Sequence, residues 1–266
     1  MYIQGNKVVN ERKRKKMNVI IFDTETTDIN KCFCYNIGYV IADFETNTIL
    51  CKKDFVVEQI WHNLPLFSTA YYAEKRPLYV KALKARKTKM LKFGYICQEM
   101  IRDIKKFNVS CGYAYNSPFD VKVFNYNCDW FKCSNPLDLI PVFDIMGNVH
   151  NSLIDNNYFE FCEKNQRFTE SGNYSTTAES LYQYISNDID FVEEHTALSD
   201  SIIEYEILKR AIEKGTCLMV EYERKRTFPR KQKRIFTVKD NKNNIVFSSE
   251  CYGYTHYKKD NTIKLK

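Results

Sequence analysis

No apolar run in this sequence approaches the roughly 18 residues needed to cross a bilayer. Its first stretch, MYIQGNKVVNERKRKKMN, is basic but lacks the apolar core of a secretory signal. These absences argue against a helical membrane protein or a secreted one, and a cytoplasmic location without membrane contact is expected. Internal repeats are also missing, which sets aside solenoids and propellers. Ten cysteines are present, but none are paired as CxxC, and Cys32 and Cys34 form a lone CxC with no partner set for zinc. Reduced thiols, mostly in the core, fit a chain of this length better than a disulfide framework does.

What is present supports a real core. Of 266 residues, 44% are hydrophobic and 15% aromatic, which excludes wholesale disorder. The length suits one domain of about 200 residues with an appendage. The net charge of +7 is unevenly placed. Residues 1–16 hold six Lys/Arg against one Glu, and residues 217–266 hold thirteen against five. The 200 residues between them therefore carry a net charge of −6. An acidic body with basic ends suits an enzyme that holds cations in its site and grips a polyanion at its edges. Solubilising tails would look the same.

Read along the chain, residues 1–16 form a flexible basic leader. A core strand is expected near 18–23, then an antiparallel hairpin near 36–43 and 48–57 about the turn ETNT. Residues 68–107 read as helical, and VSCGYAY (109–115) reads as a strand with a helix behind it. LDLIPVFDIM (137–146) holds a short strand, which Pro141 pushes towards an edge or a bend. Residues 193–215 make a helix with the apolar stripe Ala197, Ile202, Ile203, Ile207, Leu208 and Ala211, and Gly215 stops it. The order of elements predicts an α/β layered domain with a mixed sheet over residues 17–216. After the charge run RKRTFPRKQKR, residues 217–266 read as a small β-rich extension.

Three segments carry the chemistry. In IIFDTETTDI (20–29), an apolar strand ends by aiming Asp23 and Glu25, two residues apart, at one face. At about 5 Å two like charges repel by roughly 3 kcal/mol at an effective dielectric of 20. A fold keeps such a pair when a cation lies between them or one is protonated, and oxygen clusters select hard cations such as Mg²⁺ or Mn²⁺. A solvated strand end is the plainer alternative. Asp120, in AYNSPFDVKVF, follows a strand and a tight turn, where a helix N-terminal charge would also suit it. In HTALSD, His195 and Asp200 stand five residues apart, about 140° in azimuth on a helix. Imidazole readily accepts a proton near neutral pH, although a helix-start polar group and a surface charge would also account for the pair.

Together, FDTETT, the NSPFD turn and HTALSD, in that order, resemble the three motifs of the DEDDh (DnaQ-like) 3′-to-5′ exonuclease family. The resemblance spans residues 17–215. It implies the ribonuclease-H-like three-layer fold, with a mixed five-stranded sheet flanked by helices. It further implies that Asp23, Glu25, Asp120 and Asp200 hold two divalent cations, Mg²⁺ or Mn²⁺, and that His195 is the general base. Thr26 and Thr27 would face the terminal nucleotide, with Asn116 and Phe119 nearby, and nucleoside 5′-monophosphates would be released. Asp28 departs from the family, which often has Gly there. The substrate implied is a single-stranded or frayed DNA 3′ end, with an RNA 3′ end of the oligoribonuclease or RNase T kind as the alternative. A binding module without catalysis is the remote third reading. Replication or repair proteins are candidate partners, and a homodimer is an open option. In the tail, Arg224, Lys225, Arg226, Arg230, Lys231, Lys233 and Arg234 could track a phosphate backbone. A solvated linker and a packed β-meander would explain them equally.

Overall fold

Alternation along β1 (Asn18–Thr26) sends Ile20 and Phe22 to one apolar cluster and Val19 and Ile21 to another. All four are fully buried, as expected of a central strand covered on both faces. The protein is described here by a computed structural model covering residues 17–215, 228–239, 242–254 and 262–264. The expected leader and Arg224, Lys225 and Arg226 lie outside the described residues.

The hairpin forms as expected from β2 (Cys34–Asp43) and β3 (Thr48–Val57). Its turn is held by Asp43 Oδ1, which accepts from the Glu45 and Thr46 amides at 3.1 and 3.3 Å. The short helices α1 (Glu58–Trp61) and α2 (Leu64–Phe67) follow, then α3 (Arg76–Lys84). The stretch expected to continue as helix is broken by a short strand, β4 (Lys89–Leu91), before α4 (Phe93–Lys106). Next come β5 (Val109–Ala114), α5 (Ser117–Phe131), β6 (Val142–Asp144), α6 (Ile145–Ser152), α7 (Asn156–Asn165), α8 (Ala178–Ser186) and α9 (Ala197–Glu213).

The strand order is β4-β3-β2-β1-β5-β6. The β1/β2 and β2/β3 pairs are antiparallel; β1/β5, β3/β4 and β5/β6 are parallel. The sheet thus has six strands rather than the expected five. The additional one is β4, whose KML pairs with Phe55–Val57 on the outer edge of β3. Nothing local in those three residues asks for a strand; the free edge of β3 does. β6, which follows Pro141, closes the other edge. Helices α6 to α9 pack on the Val19/Ile21 face, and α4 and α5 on the other.

Among the described residues, eight cysteines are free and mostly buried, and no helix is long and apolar enough to cross a membrane. Cys97, Cys128 and Cys133 gather between α4 and the end of α5. In the tail, β7 (Lys231–Lys239) pairs antiparallel with β8 (Ile245–Tyr254) and parallel with β9 (Thr262–Lys264).

Candidate active site

Asp23 continues the Val19/Ile21 side of β1, so it and Glu25 face the layer that contains α9. Asp200, in the first turn of α9, meets them there, and one carboxylate oxygen from each residue lies within 4.8 Å of the other two. The start of α9 comes this close because β2 carries a glycine. A Cβ on Gly38 would stand 2.1 Å from the Leu198 nitrogen. Ser201 Oγ donates to the Gly38 carbonyl at 3.1 Å. The Ala197 amide donates to Asn36 Oδ1 at 2.8 Å, so a buried side chain of β2 secures the first turn. Asn36 also donates to Asp54 Oδ1 at 2.7 Å and to the Phe55 carbonyl at 2.9 Å, and it accepts from Tyr79.

Asp120 arrives from the opposite layer. It lies in the first turn of α5, and its Oδ1 accepts a 2.6 Å hydrogen bond from Thr24 Oγ1. Thr24 therefore ties the second carboxylate segment to the end of β1, next to Asp23. The turn before α5 is fixed by Asn116, in the left-handed region at φ 63°, and by Asp144. The two oxygens of Asp144 accept from the Ser117 and Gly147 amides, each at 2.9 Å.

Three carboxylates this close, with Asp120 beside Asp23, oppose one another's ionisation. Burial, then Asp120 and Glu193, hold Asp23 well above the usual carboxylate range. Burial, then Asp23 and Asp200, do the same to Glu25. Burial and then Asp23 push Asp200 up to about 9, and burial pushes Asp120 up to about 7 despite the Thr24 hydroxyl. Hard oxygen donors that resist deprotonation together are what a divalent cation stabilises, so these residues fit one. Asp23 and Glu25 keep partial exposure, which leaves the cluster open to solvent.

His195 is not on the helix, as its position in HTALSD had suggested. Its backbone takes φ 51°, and α9 begins two residues later. Its Nδ1 lies 3.6 Å from Glu193 Oε2, and burial followed by Lys75 lowers its pKa, which favours the neutral ring. Glu193 is itself pushed up to about 7, by burial and then Glu179.

Thr26 stays half-exposed, with its hydroxyl donating to the Asp28 carbonyl at 3.3 Å. Thr27, expected to face a nucleotide, is instead buried, and its amide is committed to the Phe33 carbonyl at 2.9 Å. Phe119 packs against the core cluster on the α5 face, and Asn116 serves the turn before α5. Arg230 is engaged inside the protein, 2.9 Å from Glu163 and over the Phe168 ring at 4.3 Å. Lys231, Lys233 and Arg234 fall on β7, with side chains outside the described residues.

Several residues around the site were not assigned a role from the sequence. Glu204 lies one turn beyond Asp200, buried, with Oε2 unpartnered, and its pKa is raised by burial and then by Asp23, Asp120 and Asp200. At helical spacing a Glu reads as a solvent-facing residue. Glu193, Tyr72 and Lys75 also surround the site. Gly38 and Asn36 did carry a hint, being a glycine and an amide inside an apolar strand.

The chain shares its fold with solved 3′-exonucleases. Two solved structures resemble it at a TM-score of 0.52. One is a 3′-exonuclease in a structure of 3′-end-specific recognition of a histone mRNA stem-loop, with 12% identity over 76% of this chain and 84% of that one. The other is the nuclease domain of 3′hExo, a DEDDh family member bound to rAMP, with 14% identity over 79% of this chain and 98% of that one. No protein-family model and no curated protein matches the sequence.

Proposed function

We propose that the chain is a metal-dependent 3′-to-5′ exonuclease that removes nucleoside 5′-monophosphates from single-stranded or frayed DNA ends. The observation that carries this reading is the convergence of Asp23, Glu25 and Asp200 within 4.8 Å, with Asp120 tethered beside them through Thr24. On this reading residues 17–216 are the nuclease unit. Asp23, Glu25 and Asp200 hold divalent cations, two Mg²⁺ or Mn²⁺, and Asp120 supports them from the opposite layer. The bound cations would supply charge stabilisation to the attacked phosphodiester and lower the pKa of the attacking water. His195 accepts that water's proton. Its Nδ1 is turned to Glu193, so Nε2 is the nitrogen left for the task. The lowered pKa keeps the ring neutral and able to act as a base near pH 7.

An exoribonuclease is the second reading, favoured by the RNA and rAMP in the two similar structures. Carboxylate geometry does not distinguish the two substrates, because a 2′-hydroxyl is read by pocket shape. Matched 5′-labelled DNA and RNA oligonucleotides, incubated with Mg²⁺, Mn²⁺ or chelator, decide between them. A ladder shortening one nucleotide at a time, absent in chelator and in Asp23→Asn, is expected. Internal cleavage, or hydrolysis that survives chelation, would sink the proposal.

A further inference from the structure

Residues 68–76, STAYYAEKR, run from the end of α2 into α3 and form an arm against the candidate site. The arm is anchored at its far end, where the Arg76 guanidinium lies over Trp61 at 4.4 Å and Phe67 at 5.2 Å. From there two side chains meet the His195 turn. The Tyr72 ring lies flat on the imidazole, with centroids 4.4 Å apart and planes 12° from parallel. Lys75 Nζ donates to the Glu194 carbonyl at 2.6 Å and lies 4.7 Å from the Tyr72 ring centroid.

His195 needs such support. A left-handed backbone is uncommon for a residue other than glycine and persists only where its surroundings impose it. Helix hydrogen bonding does not supply it, because α9 starts only at Ala197. The other groups about the ring, Glu193 and Glu179, are carboxylates that can bond a nitrogen but do not fix the ring plane. Stacking fixes the plane, and the lysine fixes the peptide behind it.

We propose that Tyr72 and Lys75 are positioning residues for His195: the tyrosine ring sets the plane of the imidazole, and the lysine locks the left-handed turn through the Glu194 carbonyl. This rests on the exonuclease reading, in which His195 is the base. The Tyr72 hydroxyl has no part in the stack, so the aromatic face alone carries the role.

The test uses the full chain and Tyr72→Ala, Tyr72→Phe and Lys75→Met. Tyr72→Ala is expected to lower kcat roughly 10- to 100-fold with KM little changed, as for a misplaced catalytic group. Tyr72→Phe keeps kcat, and Lys75→Met lowers it. Independently of activity, the His195 ring protons, assigned by their loss in His195→Gln, are shielded by the stacked tyrosine; their resonances move downfield in Tyr72→Ala and stay in Tyr72→Phe. Unmoved resonances, or a rise in KM at constant kcat, overturn the proposal, the latter because it marks a surface for stacking substrate bases. A wild-type chain that releases no mononucleotide fells the exonuclease reading, and the positioning role with it. That result is distinguishable because it appears before any substitution is made.

Discussion

Asp200 shows what a buried carboxylate costs when no cation is present. In the folded chain it keeps its proton up to about pH 9, and Asp120 and Glu193 keep theirs to about 7, whereas free carboxyls release theirs near 4. Between those limits the folded state binds more protons than the unfolded chain. Stability in chelator is therefore fullest at low pH and falls as pH rises from about 4 to about 9. Divalent cation should flatten that decline by taking the protons' place. Thermal unfolding across this range, with and without Mn²⁺, checks the sign; stability in chelator that climbs between pH 5 and 8 contradicts the assignment. Asp200→Asn keeps the shape and needs no proton taken up on folding, so at neutral pH it should raise the melting temperature in chelator and abolish hydrolysis.

At the level of elements, the carboxylate segments were legible because each is encoded locally. Two acids at i and i+2 after an apolar run share a face whatever surrounds them, and the turn before Asp120 is signalled by NSP. The hairpin and α9 were legible for the same reason. What escaped depends on distant partners. β4 exists because β3 offers an edge, Arg230 finds Glu163 some 67 positions away, and Tyr72 acquires meaning only where His195 folds against it. The burial of Thr27 escaped because burial of a polar side chain cannot be read from its neighbours. Gly38 offers the sharpest element-level test. Gly38→Ala would drive a methyl group into the backbone of α9 at 2.1 Å, so the helix start must move. A loss of 1–3 kcal/mol or more is expected by analogy with overpacked cores, about that range, measurable by denaturant unfolding. Hydrolysis should fall further than stability alone explains, because Asp200 moves with the helix. Unchanged unfolding would show that α9 does not press on β2.

Over the whole molecule, charge is partitioned between an acidic body and basic ends. If Arg224, Lys225 and Arg226 follow a phosphate backbone, replacing all three with serine should weaken single-strand binding equally for all sequences. The slope of log affinity against log salt should then shrink by about 2, three contacts at about 0.7 each. An unchanged slope assigns the run to the linker reading. Arg230, paired with Glu163, is expected to contribute nothing to that slope.

Asn36 sits at a junction whose effect should be visible without any substrate. Amides in the first turn of a helix have no partner within the helix and ordinarily exchange with water quickly. The Ala197 amide points instead at a carboxamide oxygen sealed inside the sheet, 2.8 Å away. It should therefore rank among the slow deuterium exchangers, on the timescale of global opening rather than end fraying. Asn36→Ala should turn it into a fast one, and the lower end of α9 should become the first part of the protein to breathe.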